Sequence, residues 1–349
     1  MAKDFKVIHW ENNCLKVIDQ RLLPNQEVYK SLKSVDDCFY AIRNMTIRGA
    51  PLIGFVGIFG MAFFLRDVSS KTWSIKMIEK VGEYLKSARP TAVNLSFEIE
   101  NCIKLIKSFD LKTADLNHFF KKVLDYALNQ IDILENNNLI MAKLGIDELK
   151  KLYGKREYTI LTICNTGRLA CGTLGTALGV ISKLAEQKLV KHVFVCETRP
   201  YLQGSRLTAF ELLREGISHE VIVEGALSYI LSNKNIDAIF VGADRIVKNG
   251  DTANKIGTST LSILAAYYNI PFYVVAPTAS FDISLETGND IDIEIREASE
   301  ILEICGTSIT AKGVRALNPS FDITKAKNIS GIFCEKGLIK PVEKNWCKN

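Results

Sequence analysis

The sequence predicts an α/β protein in two domains. Residues 1–153 form a mainly helical N-terminal domain with a small β-hairpin sheet, and residues 154–349 a C-terminal domain built on a parallel sheet with helices on both faces. Three observations carry this reading. At 349 residues the chain is long for a single hydrophobic core. Apolar residues recur at helical spacing through most of the chain before Tyr153. From Tyr158 onward short β-branched runs alternate with helical stretches, the pattern of right-handed parallel sheets, and Tyr153-Gly-Lys-Arg-Glu157 marks the boundary.

Taken in order, Phe5-Lys-Val-Ile-His-Trp10 and Leu15-Lys-Val-Ile-Asp19 read as a hairpin with an Asn-rich turn, suited to a lid or an oligomer element. Ser34-Val-Asp-Asp reads as a helix start, the helix running through Phe39 to Asn44 and stopping before Thr46-Ile-Arg-Gly-Ala-Pro51. The apolar run Leu52 to Leu65 is too short for a membrane span and is interrupted by Gly54, Gly57 and Gly60. It reads as a buried helix with Pro51 in its first turn, its glycines on one face admitting another backbone. After the junction Ser87-Ala-Arg-Pro-Thr-Ala-Val-Asn94, helical spacing fills Leu95 to Ser108, Leu116 to Asn136 and Ile140 to Leu149.

The strand-like runs of the second half are Tyr158 to Ile163, Lys191 to Cys196, His219 to Val223, Ala238 to Val241 and Phe272 to Val275. They run into Cys164-Asn-Thr-Gly167, Cys196-Glu-Thr-Arg-Pro200, Glu224-Gly-Ala226, Gly242-Ala-Asp-Arg-Ile246 and Ala276-Pro-Thr278. A parallel sheet gathers all these clusters on one edge, where open α/β sheets bind ligands.

Composition bounds the function. Hydrophobic residues make up 47% and charged residues 24%, ordinary for a globular protein and incompatible with extended disorder. The net charge of +5 is dispersed, which points to neither nucleic acid nor an anionic membrane and leaves a small anionic substrate open. The N-terminus lacks an apolar signal core, so a cytoplasmic protein is expected. Nine scattered cysteines without CxxC pairs read as reduced thiols, and four histidines in no ligand-like cluster argue against a metal site. Neither a Walker A motif nor GxGxxG occurs.

Within that frame six residues stand out. Cys164 ends an apolar strand and precedes a helix predicted from Leu169, in which Gly172, Gly175 and Gly179 permit close packing and Cys171 packs inside. Buried cysteines ordinarily pack as small hydrophobes, whereas a thiol beside a helix N-terminus has a lowered pKa and can serve as acid or base. Asp244 is delivered to the same edge by Ile239-Phe-Val241, either as a turn cap or as a partly desolvated carboxyl with a raised pKa. Arg48 and Arg89 each precede a loop-to-helix junction, where guanidinium and free N–H groups together bind phosphate; an exposed turn arginine is the alternative for Arg48. Asn254 and Lys255 open a helix after Asn249-Gly-Asp251, the lysine being either solvated or a point charge for phosphate.

Together the stretches Ile47-Arg-Gly-Ala-Pro51, Arg89-Pro-Thr-Ala-Val-Asn94, Cys164-Asn-Thr-Gly167, Glu197-Thr-Arg-Pro200 with Gln203-Gly204, Gly242-Ala-Asp-Arg-Ile246, and Asn249-Gly-Asp251 with Asn254-Lys-Ile-Gly257 resemble the methylthioribose-1-phosphate isomerase family. The likeness runs from the hairpin to Asn318-Pro-Ser-Phe-Asp322. It implies a helical N-terminal domain, a Rossmann-like C-terminal domain, and a homodimer that needs no cofactor. The implied reaction converts an aldose 1-phosphate into a ketulose 1-phosphate in methionine salvage. Carried over by position, Cys164 and Asp244 match the family's catalytic pair, and Arg48, Gly49, Ala50, Arg89, Gln203, Asn254 and Lys255 its substrate-binding positions. Departures fall at Ile163, where the family commonly has His, at Arg168, where it often has Ala, and at Ser96-Phe-Glu98, where it tends to show Trp-Ala. They leave the reaction type intact and bear on the substrate's 5-substituent, because pocket shape decides such differences. Isomerases of 5-deoxyribose 1-phosphate and of ribose 1,5-bisphosphate share similar motifs. The regulatory subunits of a eukaryotic translation-initiation exchange factor share the fold as binding modules, and retention of Cys164 and Asp244 favours the enzyme.

The cysteine spacing generates a direct test. Denatured, unreduced protein should titrate nine thiols. A reproducible deficit of two would reveal a disulfide.

Overall fold

The computed structural model describes residues 5–70, 73–90, 92–109, 115–304 and 306–341. They divide into two units, one holding the chain up to Asn136 together with Arg168–Gly175, the other Asn137–Gly167 and the chain from Thr176 onward.

In the first unit Asn12 and Asn13, at φ 50 and 57, make the turn between β1 (Ile8–Glu11) and β2 (Cys14–Ile18). Asparagine tolerates this left-handed conformation, as hairpin turns of this kind require. A third strand, β3 (Tyr29–Leu32), which the sequence pattern did not reveal, completes an antiparallel sheet against β2. Ser34 caps α1 (Val35–Arg43), its side chain accepting the Asp37 N–H at 3.1 Å.

The helix α2 (Ala50–Asp67) has 18 residues and is apolar around its whole circumference, a composition that would also suit a membrane span. Here it is the core of the unit, buried at every position from Leu52 to Phe63. Trp10 of the hairpin stacks on its Phe59 and Phe63, with ring centroids 5.7 and 5.8 Å apart. The helices α3 (Ile75–Lys86) and α4 (Val93–Lys107) pack against it at the predicted glycines. A Cβ at Gly57 would lie 2.8 Å from Leu95 Cδ1, one at Gly60 3.0 Å from Leu85 Cδ1, and one at Gly54 2.9 Å from Glu98 Cγ. Each glycine costs roughly 1 kcal/mol of helix propensity relative to alanine, which the close approach of α3 and α4 offsets.

The two helical stretches expected over Leu116 to Leu149 are one helix, α5 (Leu116–Tyr153), because nothing between Asn136 and Ile140 breaks the backbone. A second correction concerns the helix expected from Leu169. It is broken in two: α6 (Arg168–Cys171) ends where Gly172 at φ 83 and Gly175 at φ 90 turn the chain out of the helix, and the helix that carries Gly179 starts afresh at Ala177. Cys171 packs inside as expected, 2% exposed.

The second unit begins its sheet with β4 (Tyr158–Thr162), α7 (Ala177–Glu186) and β5 (Val190–Cys196). A π-turn (Gly204–Thr208) then leads into α8 (Ala209–Arg214), followed by β6 (His219–Ile222), α9 (Leu227–Asn233) and β7 (Ala238–Val241). The hairpin β8 (Arg245–Val247) and β9 (Thr252–Lys255) comes next, then α10 (Thr258–Tyr267) and β10 (Phe272–Val275). Short strands β11 (Phe281–Asp282), β12 (Glu303–Ile304) and β13 (Thr307–Ser308) precede β14 (Phe321–Thr324), β15 (Gly331–Cys334) and β16 (Gly337–Ile339).

Seven strands form the main sheet in the order β16-β15-β10-β7-β4-β5-β6, parallel except at the β15–β16 edge. All four residues of β7 and all four of β10 are buried, as continuous apolar strands predict for a sheet covered on both faces. The chain proceeds outward from β4 through β5 to β6, then returns to pair β7 on the other side of β4. The sheet therefore reverses direction between β4 and β7, and a crevice opens at the carboxyl ends of these two strands. A smaller four-stranded sheet runs β11-β8-β9-β14.

The glycines of the first unit differ in what they tolerate. At Gly49, φ is +96 and a Cβ would collide with the Ala170 backbone, whereas at Gly57 only side-chain ends need move. Gly49→Ala should lose about 2–4 kcal/mol in urea unfolding. Gly57→Ala, which regains helix propensity, should lose less. The opposite order would refute this account of α2.

Candidate active site

Cys164 leaves β4 in a left-handed conformation, φ 68, rare for a residue with a Cβ and costing about 1–2 kcal/mol. Two threonine hydroxyls hold it there. The Cys164 N–H donates to Thr198 Oγ1 at 2.9 Å, and Thr208 Oγ1 donates to the Cys164 carbonyl at 2.6 Å. Thr198 is itself left-handed, φ 65, and fully buried after β5, while Thr208 closes the π-turn. Such turns mark functional positions in many folds. The π-turn packs directly on the end of β5, because a Cβ at Gly204 would overlap the Cys196 carbonyl oxygen.

The next residues are fixed as firmly. Buried Asn165 donates from Nδ2 to Glu211 Oε1 at 2.7 Å and to Thr208 Oγ1 at 3.2 Å. Gly167 leaves room for the Glu211 carboxylate, which a Cβ would strike. Thr166 caps α7, its Oγ1 accepting the Leu178 N–H at 3.1 Å and its carbonyl the Thr176 N–H at 2.8 Å. The helix N-terminus expected beside the Cys164 turn is therefore that of α7, reached through Thr166.

Asp244 follows β7, the strand next to β4. Thr162 Oγ1 donates to the Phe240 carbonyl at 2.8 Å, and a Cβ at Gly242 would lie 2.6 Å from Thr166 Cγ2. The turns carrying Cys164 and Asp244 thus lie side by side at the sheet's reversal point. The Asp244 N–H donates to the Ala253 carbonyl at 2.9 Å, setting it beside Asn254 across the β8–β9 hairpin.

Asn254 and Lys255 do not open a helix as expected: they end strand β9, and Gly257 at φ +100 turns the chain before α10 begins at Thr258. Asn254 is buried, with Nδ2 on Thr258 Oγ1 at 3.0 Å. Lys255 Nζ donates to the Ser320 carbonyl at 2.8 Å and stands 4.5 Å from the centroid of the Phe321 ring. The N-terminus of α10 is already taken: Asp322 accepts from the N–H groups of Gly257 at 2.8 Å and Ser259 at 2.9 Å. Burial pushes the Asp322 pKa up, and those N–H groups together with Lys255 pull it back. Gln203, just ahead of the π-turn, is 5% exposed, and its Oε1 meets no hydrogen-bond donor among the described residues. A buried acceptor left open in this way is suited to a ligand hydroxyl or amine.

Arg48, Gly49, Ala50 and Arg89 belong to the first unit. Gly49 caps the N-terminus of α2 and Ala50 is its first residue, with Arg48 nearly buried just ahead of them. Arg89 is half-buried in the turn after α3, its carbonyl accepting the Ala92 N–H at 3.0 Å. Cys164, Asp244, Gln203, Asn254 and Lys255 all belong to the second unit. The residues that hold the Cys164 turn, Thr198, Thr208 and Glu211, are not singled out from the sequence as site residues. The signal for Thr198 there is position, two residues beyond the end of a strand.

Seven cysteines lie among the described residues, all buried and unbridged; Cys305 and Cys347 lie outside them. Burial pushes the thiols of Cys38 and Cys196 well up, and that of Cys102 as well. Among the described residues no cluster of His, Cys, Asp or Glu is placed to hold a metal ion.

Fold and site together define a Rossmann-like α/β protein with a thiol and a carboxyl at the reversal point of its sheet. The profile of the Initiation factor 2 subunit family matches residues 46–341, and the chain belongs to that family. The methylthioribose-1-phosphate isomerase of Thermotoga maritima is 43% identical over 344 residues, 96% of this chain and 95% of the relative. Methylthioribose-1-phosphate isomerase 2 of Pseudothermotoga lettingae is 41% identical over 338 residues, 97% of this chain and 95% of the relative. Among solved structures, 5-methylthioribose 1-phosphate isomerase from Pyrococcus horikoshii OT3 matches with a TM-score of 0.89 at 36% identity, over 99% of this chain and 95% of that one. The translation initiation factor eIF-2B subunit delta from A. fulgidus matches with a TM-score of 0.83 at 34% identity, over 97% of each chain. The resemblance drawn from the six motifs and the α/β fold class are both borne out.

The cap on α10 can be tested by itself. Asp322→Ala should lower stability by about 1–2 kcal/mol, and Asp322→Asn, which keeps one acceptor, by clearly less. An Ala variant as stable as the parent in urea unfolding would remove Asp322 from this role.

Proposed function

We propose that the chain is an aldose–ketose isomerase of methionine salvage that converts 5-methylthioribose 1-phosphate into 5-methylthioribulose 1-phosphate. The observation that carries this reading is the juxtaposition of the Cys164 and Asp244 turns at the ends of β4 and β7. The similarity to methylthioribose-1-phosphate isomerases over nearly the whole chain supports it. The enzyme works as a cytoplasmic homodimer on this reading, with the chemistry in residues 154–349 and the helical domain in residues 1–153.

The substrate explains the residue types. Its anomeric oxygen is esterified, so the ring cannot open to a free aldehyde unaided. Asp244, protonated, donates to the ring oxygen as the ring C–O bond breaks, and the 4-hydroxyl is formed. Hydrogen then passes from C2 to C1 and the 2-hydroxyl gives up its proton, leaving a ketone at C2 with the phosphate still on C1; Cys164 takes part in that transfer. The step is redox-neutral, C2 being oxidised as C1 is reduced. On this reading Arg48 or Arg89, or both, together with Lys255, hold the phosphate, and Gly49, Ala50, Gln203 and Asn254 complete the substrate contacts. Gln203 Oε1 offers an open acceptor for a sugar hydroxyl.

A second reading, a non-catalytic binding subunit, rests on the likeness to eIF-2B subunit delta. Incubation with 5-methylthioribose 1-phosphate, 5-deoxyribose 1-phosphate and ribose 1,5-bisphosphate, with products identified by carbon NMR, separates these readings. A C2 ketone from the first is expected, and no ketone from any would leave the binding module. Deuterium at C2 distinguishes the routes: loss to solvent marks proton transfer through an enediol, retention at C1 a hydride shift.

Cys164→Ser and Asp244→Asn should each lower kcat by roughly 10²- to 10⁴-fold while circular dichroism stays unchanged. Arg48→Ala, Arg89→Ala and Lys255→Gln should each lower kcat/KM by about ten- to a hundredfold. A folded variant with wild-type kinetics would exclude its residue from the site.

A further inference from the structure

The register of the main sheet places two residues opposite each other just beyond its carboxyl edge. Cys196 of β5 pairs with Ile222 of β6, and the Glu197 N–H donates to the Ile222 carbonyl at 2.7 Å. Two residues further along each strand stand Thr198 and Glu224. The Thr198 N–H donates to Glu224 Oε1 at 2.6 Å. The Thr198 hydroxyl gives its only proton to the Cys196 carbonyl at 3.0 Å, so toward Cys164 it can only accept, and it takes the Cys164 N–H at 2.9 Å.

We propose that Glu224 is a positioning residue for Cys164, acting through Thr198. This rests on the reading of Cys164 as the catalytic thiol. Glu224 never touches the reacting atoms; its carboxylate fixes the Thr198 backbone, and Thr198 fixes the backbone from which the thiol projects. Both links of the chain, Thr198 at φ 65 and Cys164 at φ 68, are residues that do not hold a left-handed conformation on their own. Such conformations persist only where surrounding bonds over-determine them. Glu224 is the one charged member of the relay, and hydrogen bonds to a charged acceptor are shorter and stronger than neutral ones. It is half-buried, so its carboxylate is screened less by water than one on the surface, and burial pushes its pKa up against the pull of the Thr198 N–H.

A second contact ties the same side chain to the other half of the site. Gly257, at φ +100, turns the chain from Lys255 into α10, and a Cβ built on it would lie 3.6 Å from Glu224 Cγ and 3.1 Å from Ile163 Cδ1. The stem of Glu224 therefore packs beside the turn that presents Asn254 and Lys255, while its head holds Thr198. One residue sets the thiol's backbone and borders the cation's turn.

The test compares the full-length protein carrying Glu224→Ala, Glu224→Gln, Thr198→Val, Thr198→Ser and the double change Glu224→Ala with Thr198→Val, assayed for isomerisation of 5-methylthioribose 1-phosphate. Cys164→Ser is the control. Glu224→Ala should lower kcat on the order of 10- to 100-fold, the loss expected for a displaced reacting group, with KM within about twofold of wild type. Glu224→Gln, whose amide oxygen accepts the same N–H, should recover most of that rate, and Thr198→Ser should recover what Thr198→Val loses. The double variant should be no slower than the slower single variant, because both changes cut one relay. Wild-type kcat in folded Glu224→Ala would overturn the proposal, and so would losses that multiply in the double variant. If Glu224→Ala fails to fold, the Thr198 pair with Glu224→Gln decides: a Thr198→Val variant with wild-type kcat overturns it. A fully active Cys164→Ser would instead bring down the reading of the thiol itself, whatever the Glu224 variants do.

Discussion

The pairing of β4 with β7 on one side and β5 on the other is the constraint on which the site depends. Strand pairing fixes which loops are neighbours, and here it sets the Cys164 turn between the Asp244 turn and the Thr198 loop. The approach is close enough to demand a missing side chain at Gly242, where a Cβ would meet Thr166. Had the chain continued past β6 instead of returning beside β4, the thiol and the carboxyl would lie at opposite ends of the edge. The hydrogen bond from Thr162 to the Phe240 carbonyl ties side chain to neighbouring backbone one step before the two turns diverge.

Much of this was legible in the sequence, for a physical reason. Strands buried on both faces appear as uninterrupted apolar runs, so Ala238–Val241 and Phe272–Val275 match the expected spans residue for residue. The polar residue that ends such a run must lie at the sheet's edge, which is why Cys164 and Asp244 stood out. The edge strand β16 and its buried neighbour β15 do not emerge from the sequence pattern, nor does β3, whose Tyr29-Lys-Ser-Leu32 has too little alternation to announce a strand. Glycine misled once. Gly172 and Gly175 read as packing residues within a helix, and both turn out to be where the chain leaves it.

The conformation of the site was the least legible part. The left-handed turn at Asn12 and Asn13 is written in residue type, because asparagine accepts it readily. Nothing about a cysteine or a threonine announces the same conformation, so Cys164 and Thr198 gave no local sign of it. Their geometry comes from hydroxyls and a carboxylate contributed by the loop after β5, the π-turn and the turn after β6, residues 26 or more positions away in the chain. Information of that kind exists only after the sheet has assembled.

The seam between α2 and its neighbours bears on how this chain can change over time. Gly54, Gly57 and Gly60 lie against Glu98, Leu95 and Leu85, with no more room than a hydrogen atom needs. A larger residue on α2 calls for a smaller one across the seam, so substitutions there are accommodated in pairs and the facing positions should drift together across descendants of this chain. Gly54 is the most restrictive of the three, since a Cβ there would meet the base of the Glu98 side chain, Cγ at 2.9 Å, and the Asn94 backbone carbonyl at 3.2 Å. An added methyl at that point presses on the backbone of α4 rather than on the pliable end of a leucine.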